Sequence, residues 1–576
     1  MSTQLSLVHG PKEPPLWLDK TLCAVIDQQE ASYPDRTALI VPWQSTRLSY
    51  HQLAKRSRVV AKALLGAGLR HGECIGIMDG NSYEYIEVFL GAARIGCPVV
   101  VLNNTYAPDE LRNAVYRSCT ILAVFIAPKI GTRGLMRHVE NLHDRSSKNP
   151  PLSELQHIIL LRTERLDSAS EILDTYNNFL HPRFAGDMEK MLLQAQAALA
   201  PEDVLNLQFT SGTRLLLDMC LQTDDTNILN NARFVGNAMR LAPSDVVCCG
   251  PPLFHCFGLV MGFLASFTYG ASIIFPSDHF RASCVVEALM AEDATVLLGV
   301  PTMFISELEV LTKTGQKPRR LRTGLASGSP VSQTLMNEIR ARMGVDKMLI
   351  AYGMTETSPV NFITSLDDPE DKRISTIGRV MPHTVAKVVD KQGKIIPRGQ
   401  RGELCVGGYA LQKGYWKNEE KTREVMKYDA NGVLWMHTGD EVMIDEEGYG
   451  HITGRIKDLI IRGGENIFPR EIEDRLVAHG SIVEASVVGI KDEKFGEVVG
   501  CFLKLTPGCQ RVQDAEIQQW VGGSLGRHKA PQHVFWIGDV AVGDDFPKTG
   551  SGKHQKHLLR DLGNRLVVQR KMRARL

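Results

Sequence analysis

Apolar positions recur at helical spacing over residues 50–67 and 83–95, and short apolar runs occupy 72–78 and 97–102. A 3.6-residue period predicts helices, and short apolar runs bounded by Gly or Pro predict strands. Asn103-Asn104-Thr105-Tyr106 and a helix start at Pro108-Asp109-Glu110-Leu111 come next. Strand–helix alternation of this kind predicts parallel sheets covered by helices. The stretches 143–151 and 164–170 are polar and irregular and read as exposed loops. Beyond Lys457 the pattern shifts to strands over 485–490 and 499–503 in a smaller α+β unit. A chain of 576 residues is too long for one ordinary core. The fold class expected is therefore α/β, with a large N-terminal domain of helix-covered sheets over 1–456 and a small mobile α+β domain over 457–576.

The one long uncharged stretch, 257–276, approaches the length of a membrane span. Its interspersed Gly258, Gly262, Ser266, Thr268, Tyr269, Gly270 and Ser272 favour a buried helix, a glycine turn and a strand. Apolar content of 43% and charge of 23% suit a soluble enzyme, and a net charge of +1 gives no pull on nucleic acid or anionic membrane. The twelve cysteines are scattered, with only Cys248-Cys249 adjacent. That spacing offers no disulfide or zinc framework and favours reduced core thiols in an intracellular protein. The N-terminus, Met1-Ser2-Thr3-Gln4-Leu5, lacks a basic region and a long apolar run, so no secretory signal is expected.

Glycines, buried-looking strands and fixed charges are densest between His437 and Pro469. Asp445-Glu446-Glu447-Gly448-Tyr449 reads as a hairpin turn, with Asp440 and Arg455 at loop ends flanking it. Lys457-Asp458 reads as a joint, and Gly463-Gly464 adds backbone freedom beyond it. With Thr438-Gly439-Asp440, Gly454-Arg455-Ile456-Lys457-Asp458 and Arg462-Gly463-Gly464-Glu465-Asn466-Ile467 in this order, the stretch resembles the AMP-forming adenylating enzymes. That superfamily holds the acyl-CoA synthetases, firefly luciferase and peptide-synthetase adenylation domains. The resemblance extends over roughly residues 20–560.

The resemblance implies roles residue by residue. In Ala351-Tyr352-Gly353-Met354-Thr355-Glu356-Thr357-Ser358-Pro359, Tyr352 would stack near adenine, with Gly353 and Met354 beside the nucleotide. Thr355 would bond the α-phosphate, and Glu356 would ligate Mg²⁺, a hard cation that takes oxygen donors. Ser327-Gly328-Ser329-Pro330 is similar to the adenine-side loop. Asp440 would accept the ribose hydroxyls, and Arg455 would bond the ribose or phosphate side. Phe546-Pro547-Lys548-Thr549-Gly550-Ser551-Gly552-Lys553 is similar to the closing motif. Lys553 would then be the catalytic lysine of the small domain, leaving Lys548 and Lys556 as surface charges. Lys457 matches the hinge, and Gly463 and Gly464 would line the pantetheine path of coenzyme A. The runs Pro251-Pro252-Leu253-Phe254-His255-Cys256-Phe257-Gly258 and Gly299-Val300-Pro301-Thr302-Met303-Phe304 resemble the two walls of the acyl pocket. His255 there either gates or touches the carboxylate or is a satisfied core histidine. The apolar neighbours Phe254, Phe257, Met303 and Phe304 favour a fatty or aryl acid over an amino acid.

One motif breaks. The family's phosphate loop is rich in glycine and holds a lysine, because backbone amides cradle phosphates and the lysine adds charge. Here Thr210, Ser211, Gly212 and Thr213 fit, but Arg214-Leu215-Leu216-Leu217-Asp218 follows, and the pattern resumes at Thr226-Asn227. Arg214 replaces the lysine in a working loop, or the protein is a weakened or non-catalytic nucleotide- or acyl-binding relative, or the sequence holds a local frame or splice error. Retention of Glu356, Asp440, Arg455 and Lys553 favours the first and third readings. The expected activity is that of an ATP-dependent carboxylate–CoA ligase using Mg²⁺ and coenzyme A on an apolar acid, akin to medium-chain and secondary-metabolism ligases of fungal type. Ala574-Arg575-Leu576 is similar to tripeptides read by the peroxisomal import receptor, which makes the peroxisome the expected compartment, with the cytoplasm as alternative.

Overall fold

The computed structural model describes residues 4–118, 121–144, 151–163, 173–181, 187–210, 219–329, 331–463, 465–549 and 552–573. The helix expected over 50–67 spans Tyr50–Gly66, and Ser49 opens it with a capping box closed by Gln52. Such a box satisfies two otherwise unpaired amides at the helix start. The next helix, Tyr83–Ala93, is buried all round. It packs so closely on Tyr50–Gly66 that a Cβ on Gly91 would lie 2.6 Å from Val60.

Two large sheets carry the N-terminal part. One orders its strands Leu173–Thr175, His157–Leu160, Ile121–Ile126, Cys74–Met78, Val99–Val101, Val204–Thr210, Met219–Asp224 and Gly414–Tyr415. Its first six strands run parallel, and the last two join antiparallel. The other sheet runs from Arg379–Val380 through Lys347–Gly353, Val296–Gly299 and Val246–Cys249 to Thr37–Val41 and Thr46–Ser49. The largest core lies between the sheets, joining Ile75, Val99, Val247, Cys249, Leu298 and Leu325 to the helices above. Outer helices cover the opposite faces with separate cores. Residues 257–276 form a π-helical turn Phe257–Leu264, a helix Ala265–Thr268, a turn at Gly270 (φ 69°) and a strand Ser272–Ile274. Among the described residues no helix is long and apolar enough to cross a membrane.

A third, antiparallel sheet includes Thr384–Val389, Arg401–Gly408, Leu434–Ile444 and Gly450–Arg455. A small five-stranded sheet follows, built from Ile460–Arg462, Glu465–Ile467, Ile482–Asp492, Gly496–Leu505 and His533–Trp536. The two central strands are longer than the expected 485–490 and 499–503. Their polar ends, Lys491, Asp492, Gly496 and Glu497, continue the antiparallel ladder beyond the apolar core. Residues 145–150 and 164–172 lie outside the described residues, and His143 ends the helix Met136–His143 rather than opening a loop. The Asp445–Tyr449 hairpin turn is present, closed by Asp445 N–H to Tyr449 O at 3.0 Å. Asp440 and Arg455, expected at loop ends, form the last cross-strand pair of the ladder, with Arg455 ending its strand and Asp440 within its own.

Candidate active site

The side of the cleft expected to take the nucleotide is shaped by a register break. Between Arg401–Gly408 and Leu434–Ile444, Glu403 faces Glu441 while Cys405 faces His437, so Thr438, Gly439 and Asp440 bulge opposite Leu404. Bulges re-aim side chains, often beside active sites. Gly439 supplies the positive φ of 69°. Glu403 braces the bulge, accepting from His437 Nδ1 at 2.9 Å and from Gly439 N–H at 3.2 Å. Thr438 donates its hydroxyl to Leu404 O at 2.8 Å and accepts from Asp440 N–H at 3.1 Å.

The Asp440 carboxylate that results is buried. It accepts the Tyr352 hydroxyl at 2.7 Å and stands 3.4 Å from Arg455 Nε. Burial raises its pKa, and Arg455 works against that rise. Burial also opposes the charge on Arg455, but Asp440 and Asp458 outweigh it and hold the guanidinium protonated. Arg455 keeps 60% of its side-chain surface open.

The Tyr352–Glu356 segment ends the strand Lys347–Gly353 and enters a short 3₁₀ turn, Thr355–Thr357. Gly353 is obligatory there, because a Cβ would lie 1.8 Å from Pro359 O. Glu356 is buried, and its Oε1 accepts the Tyr415 hydroxyl at 3.0 Å. Burial raises its pKa, with Tyr415, Arg455 and Lys553 opposing. Tyr415 sits opposite Leu221 on the strand Met219–Asp224, which emerges from the altered phosphate loop. In the loop expected to flank adenine, Ser327 donates to Ala351 O at 2.9 Å, and Gly328 turns at φ 88° beneath Val300. Ser329 is half-buried beside it.

Lys553 arrives from the small domain on a tight turn. Thr549 N–H donates to Lys553 O at 2.8 Å, Lys553 N–H donates to Thr549 Oγ1 at 3.1 Å, and Lys548 bridges His554. The turn rests on the segment expected to wall the acyl pocket, since a Cβ on Gly552 (φ 83°) would be 3.2 Å from Thr302 Oγ1 and 3.4 Å from Val300. Burial lowers the Lys553 pKa and Arg455 adds to this, while Asp440 and Glu356 favour the ammonium. The charges of Asp440, Arg455 and Glu356 therefore act on Lys553.

His255 lines the same pocket. Its Nδ1 accepts Phe257 N–H at 3.1 Å, so a neutral ring carries its proton on Nε2. Burial, reinforced by Lys553, drops its pKa to about 3, so the ring is neutral at physiological pH. Cys256 Sγ lies 3.9 Å from Thr355 Oγ1, which joins the Pro251–Gly258 run to the Tyr352–Glu356 segment. Phe257 and Met303 pack in the inter-sheet core with Cys256, and Phe254 is buried nearby. Phe304 departs from expectation. It packs with Cys248 and Leu297 on the other face of the sheet, and its ring lies beneath Gly299.

Other expectations divide. Lys457 is exposed on the 3₁₀ turn Ile456–Asp458. Gly463 takes φ 58° and donates to Phe495 O at 2.7 Å. Thr210 ends its strand, while Ser211, Gly212, Thr213, Gly464 and the terminal Ala574-Arg575-Leu576 lie outside the described residues. Lys548 and Lys556 are not free surface charges: Lys548 pairs with Glu484 at 2.9 Å and Lys556 with Glu473 at 2.7 Å, which anchors the lysine turn and the last helix. Sequence reasoning missed Tyr415 and Glu403. The only signal for Tyr415 was its place in Lys413-Gly414-Tyr415-Trp416, where Gly414 adopts φ 145°.

Fold and cleft together define an adenylate-forming enzyme. The chain belongs to the AMP-binding enzyme family, whose main domain matches residues 26–416 and whose C-terminal domain matches 471–553, and its class is that of the acyl-CoA synthetases. It is 44% identical to the acyl-CoA ligase sidI of Beauveria bassiana, over 98% of this chain and 95% of that one. It is 35% identical to the mitochondrial medium-chain acyl-CoA ligase ACSF2 of Danio rerio, over 96% and 90%. Among solved structures it resembles the anthranilate CoA ligase AuaEII in complex with anthranoyl-AMP, with a TM-score of 0.81, 23% identity and coverage of 96% and 99%. It also resembles ATP-bound MatB of Rhodopseudomonas palustris, with a TM-score of 0.75, 25% identity and coverage of 95% and 99%.

Proposed function

We propose that the protein activates an apolar carboxylic acid, fatty or aryl, with ATP and passes the acyl group to coenzyme A. The observation that carries this reading is the seating of the turn that bears Lys553 on Val300 and Thr302, with the charges of Asp440, Arg455 and Glu356 near enough to act on the lysine. The acid's carboxylate attacks the ATP α-phosphorus, and pyrophosphate leaves. Lys553 and Arg455 offset negative charge on the α-phosphate and carboxylate oxygens, where preorganised charge gives most of the rate. Asp440 accepts from the ribose hydroxyls, Tyr352 and the Ser327-Gly328-Ser329 loop flank adenine, and Thr355 bonds the α-phosphate. His255, neutral with its proton on Nε2, donates a hydrogen bond to the acyl carboxylate. The buried Glu356 carboxylate, with one oxygen paired to Tyr415, fits a hard cation and would hold Mg²⁺, which supplies charge neutralisation on the phosphates when bound. After adenylation the small domain swings about Lys457, and thiol attack on the adenylate carbonyl expels AMP, with Gly463 and Gly464 beside the pantetheine.

The buried Phe254, Phe257 and Met303 support an apolar acid, and likeness to a medium-chain ligase supports a fatty one. Fungal ligases at 42–44% identity support a place in fungal secondary metabolism. Arg214 is proposed to supply the cation of the phosphate loop. Where Leu576 is the natural end of the chain, the last tripeptide is proposed as a peroxisomal address, which import of a tagged chain with and without it would test. Carboxylate-dependent ATP–pyrophosphate exchange across fatty and aryl acids tests the main reading, with transcript sequencing over Phe209 to Asn231. Exchange that weakens in Arg214→Ala supports the altered loop as a working one. No exchange from a protein whose transcript confirms the loop would sink the ligase.

A further inference from the structure

Three donor atoms of different chemistry converge beneath the nucleotide bulge. Cys405 Sγ lies 3.4 Å from His437 Nδ1, and that nitrogen lies 2.9 Å from Glu403 Oε2. All three ligand atoms fall within 4.8 Å of one another. They come from cross-strand neighbours on one face of two paired strands, so the backbone ladder fixes their spacing. We propose that Glu403, Cys405 and His437 form a zinc-binding site that clamps Arg401–Gly408 to Leu434–Ile444 beside the Thr438–Asp440 bulge.

The donor set selects the cation. A thiolate with an imidazole and one carboxylate suits a borderline-soft ion such as Zn²⁺, whereas Mg²⁺ and Ca²⁺ take oxygen donors. Tetrahedral zinc with bonds of about 2.0–2.3 Å requires donor spacings of about 3.4–3.5 Å. The sulfur–nitrogen spacing already meets this, and the nitrogen–oxygen spacing needs to open by about half an ångström. Glu403 and His437 keep 27% and 24% of their side-chain surface accessible, which gives the ion an entry path. Cys405 is fully buried against Val389 and Trp435, a shell that keeps water from the sulfur. On binding, the thiol proton leaves, the His437 proton sits on Nε2, and Nδ1, Sγ and Oε2 coordinate, with water as fourth ligand. Glu403 Oε1 stays free to keep its hydrogen bond from Gly439, so the metal stands one residue's hydrogen bond away from the turn that carries Asp440.

The test uses chelator-stripped full-length protein titrated with ZnCl₂ against a chromogenic chelator, in buffer holding Mg²⁺. One zinc per chain is expected, with affinity at least 10-fold weaker in Cys405→Ala. Cobalt(II) in place of zinc is expected to give a thiolate-to-metal charge-transfer band, absent in Cys405→Ala and retained in Glu403→Gln, and zinc is expected to raise the melting temperature only where Cys405 is present. Because the cobalt band reads sulfur ligation directly, it separates loss of the site from a general defect of the alanine variant. Equal zinc uptake by wild type and Cys405→Ala, or cobalt bound with no thiolate band, overturns the proposal.

Discussion

Tyr415 donates its hydroxyl proton to Glu356 Oε1 at 3.0 Å, and Tyr415 itself belongs to a strand paired with the one that leaves the altered phosphate loop. The carboxylate expected to hold the metal is thus aimed by a residue tied to the loop expected to hold the phosphates. Tyr415→Phe removes one hydrogen bond from a buried carboxylate, a loss of about 1–3 kcal/mol. Adenylation is expected to fall about 5- to 100-fold, with the half-saturating Mg²⁺ concentration raised. Pyrophosphate exchange measured across Mg²⁺ concentrations checks this, and an unchanged Mg²⁺ dependence would count against a positioning role.

Lys553→Ala is expected to lower adenylation on the order of 10²–10³-fold, the usual cost of losing one preorganised charge donor. Thioester formation from supplied acyl-adenylate is expected to survive if, as proposed, the lysine serves the first half-reaction. Single-turnover assays of each half-reaction measure the two separately. Equal losses in both would mean that the lysine turn supports the fold rather than the chemistry.

The pH dependence of adenylation follows from the same residue. Burial, with Arg455 adding to it, depresses the Lys553 pKa, so the required ammonium is lost at a lower pH than for a free lysine. Activity is expected to fall as pH rises through that depressed value. Lys553→Arg keeps its charge at every accessible pH and moves the alkaline limb upward. Exchange rates recorded from neutral to alkaline pH, wild type against variant, decide the matter.

Glu307 makes a separate prediction about stability. Its carboxyl is fully buried and both oxygens lack a partner, and burial raises its pKa to about 8. The folded state therefore holds a proton that the unfolded chain releases near the ordinary glutamate value. Stability attached to this group is fully present below that unfolded value and is lost progressively as pH rises towards 8. Each tenfold difference in proton affinity between the folded and unfolded chain is worth about 1.4 kcal/mol, so the slope is measurable. Glu307→Gln cannot titrate, and its chemical-denaturation midpoint is expected to change less between pH 5 and 8 than that of the wild type. Parallel profiles would show that the glutamate is ionised in the folded protein.

Gly353→Ala would drive a Cβ into Pro359 O, which lies 1.8 Å from its ideal position. Backbone cannot yield as a flexible side chain does, so the turn holding Thr355 and Glu356 must shift. A destabilisation of about 1–3 kcal/mol is expected, together with loss of exchange activity. Denaturant titration and exchange assays on the same preparation report both effects.

Much of the architecture was legible because period and punctuation agree with the fold. Tyr50–Gly66 carries its own cap, and the apolar run at Cys74–Met78 is a buried parallel strand. The site was legible where short motifs fix several residues at once, as in Tyr352–Glu356. What stayed hidden depends on register. Nothing in the order of residues says that Glu403 faces Glu441 while Cys405 faces His437, so the bulge that turns Asp440 into the cleft is a property of two strands together. Tyr415 was hidden for the same reason, being distant in sequence from Glu356 and near it only through the sheet. Phe304 failed because a helix presents successive residues to different sides, and Met303 alone of that pair reaches the inter-sheet core.

The seating of Gly552 on Thr302 and Val300 gives the acid a say in its own activation. If Val300 and Thr302 wall the acyl pocket as proposed, one segment serves both that pocket and the seat of the lysine turn. An acid too bulky for the pocket would then push that segment outward and unseat Lys553, and would be refused by slow turnover even where it binds well.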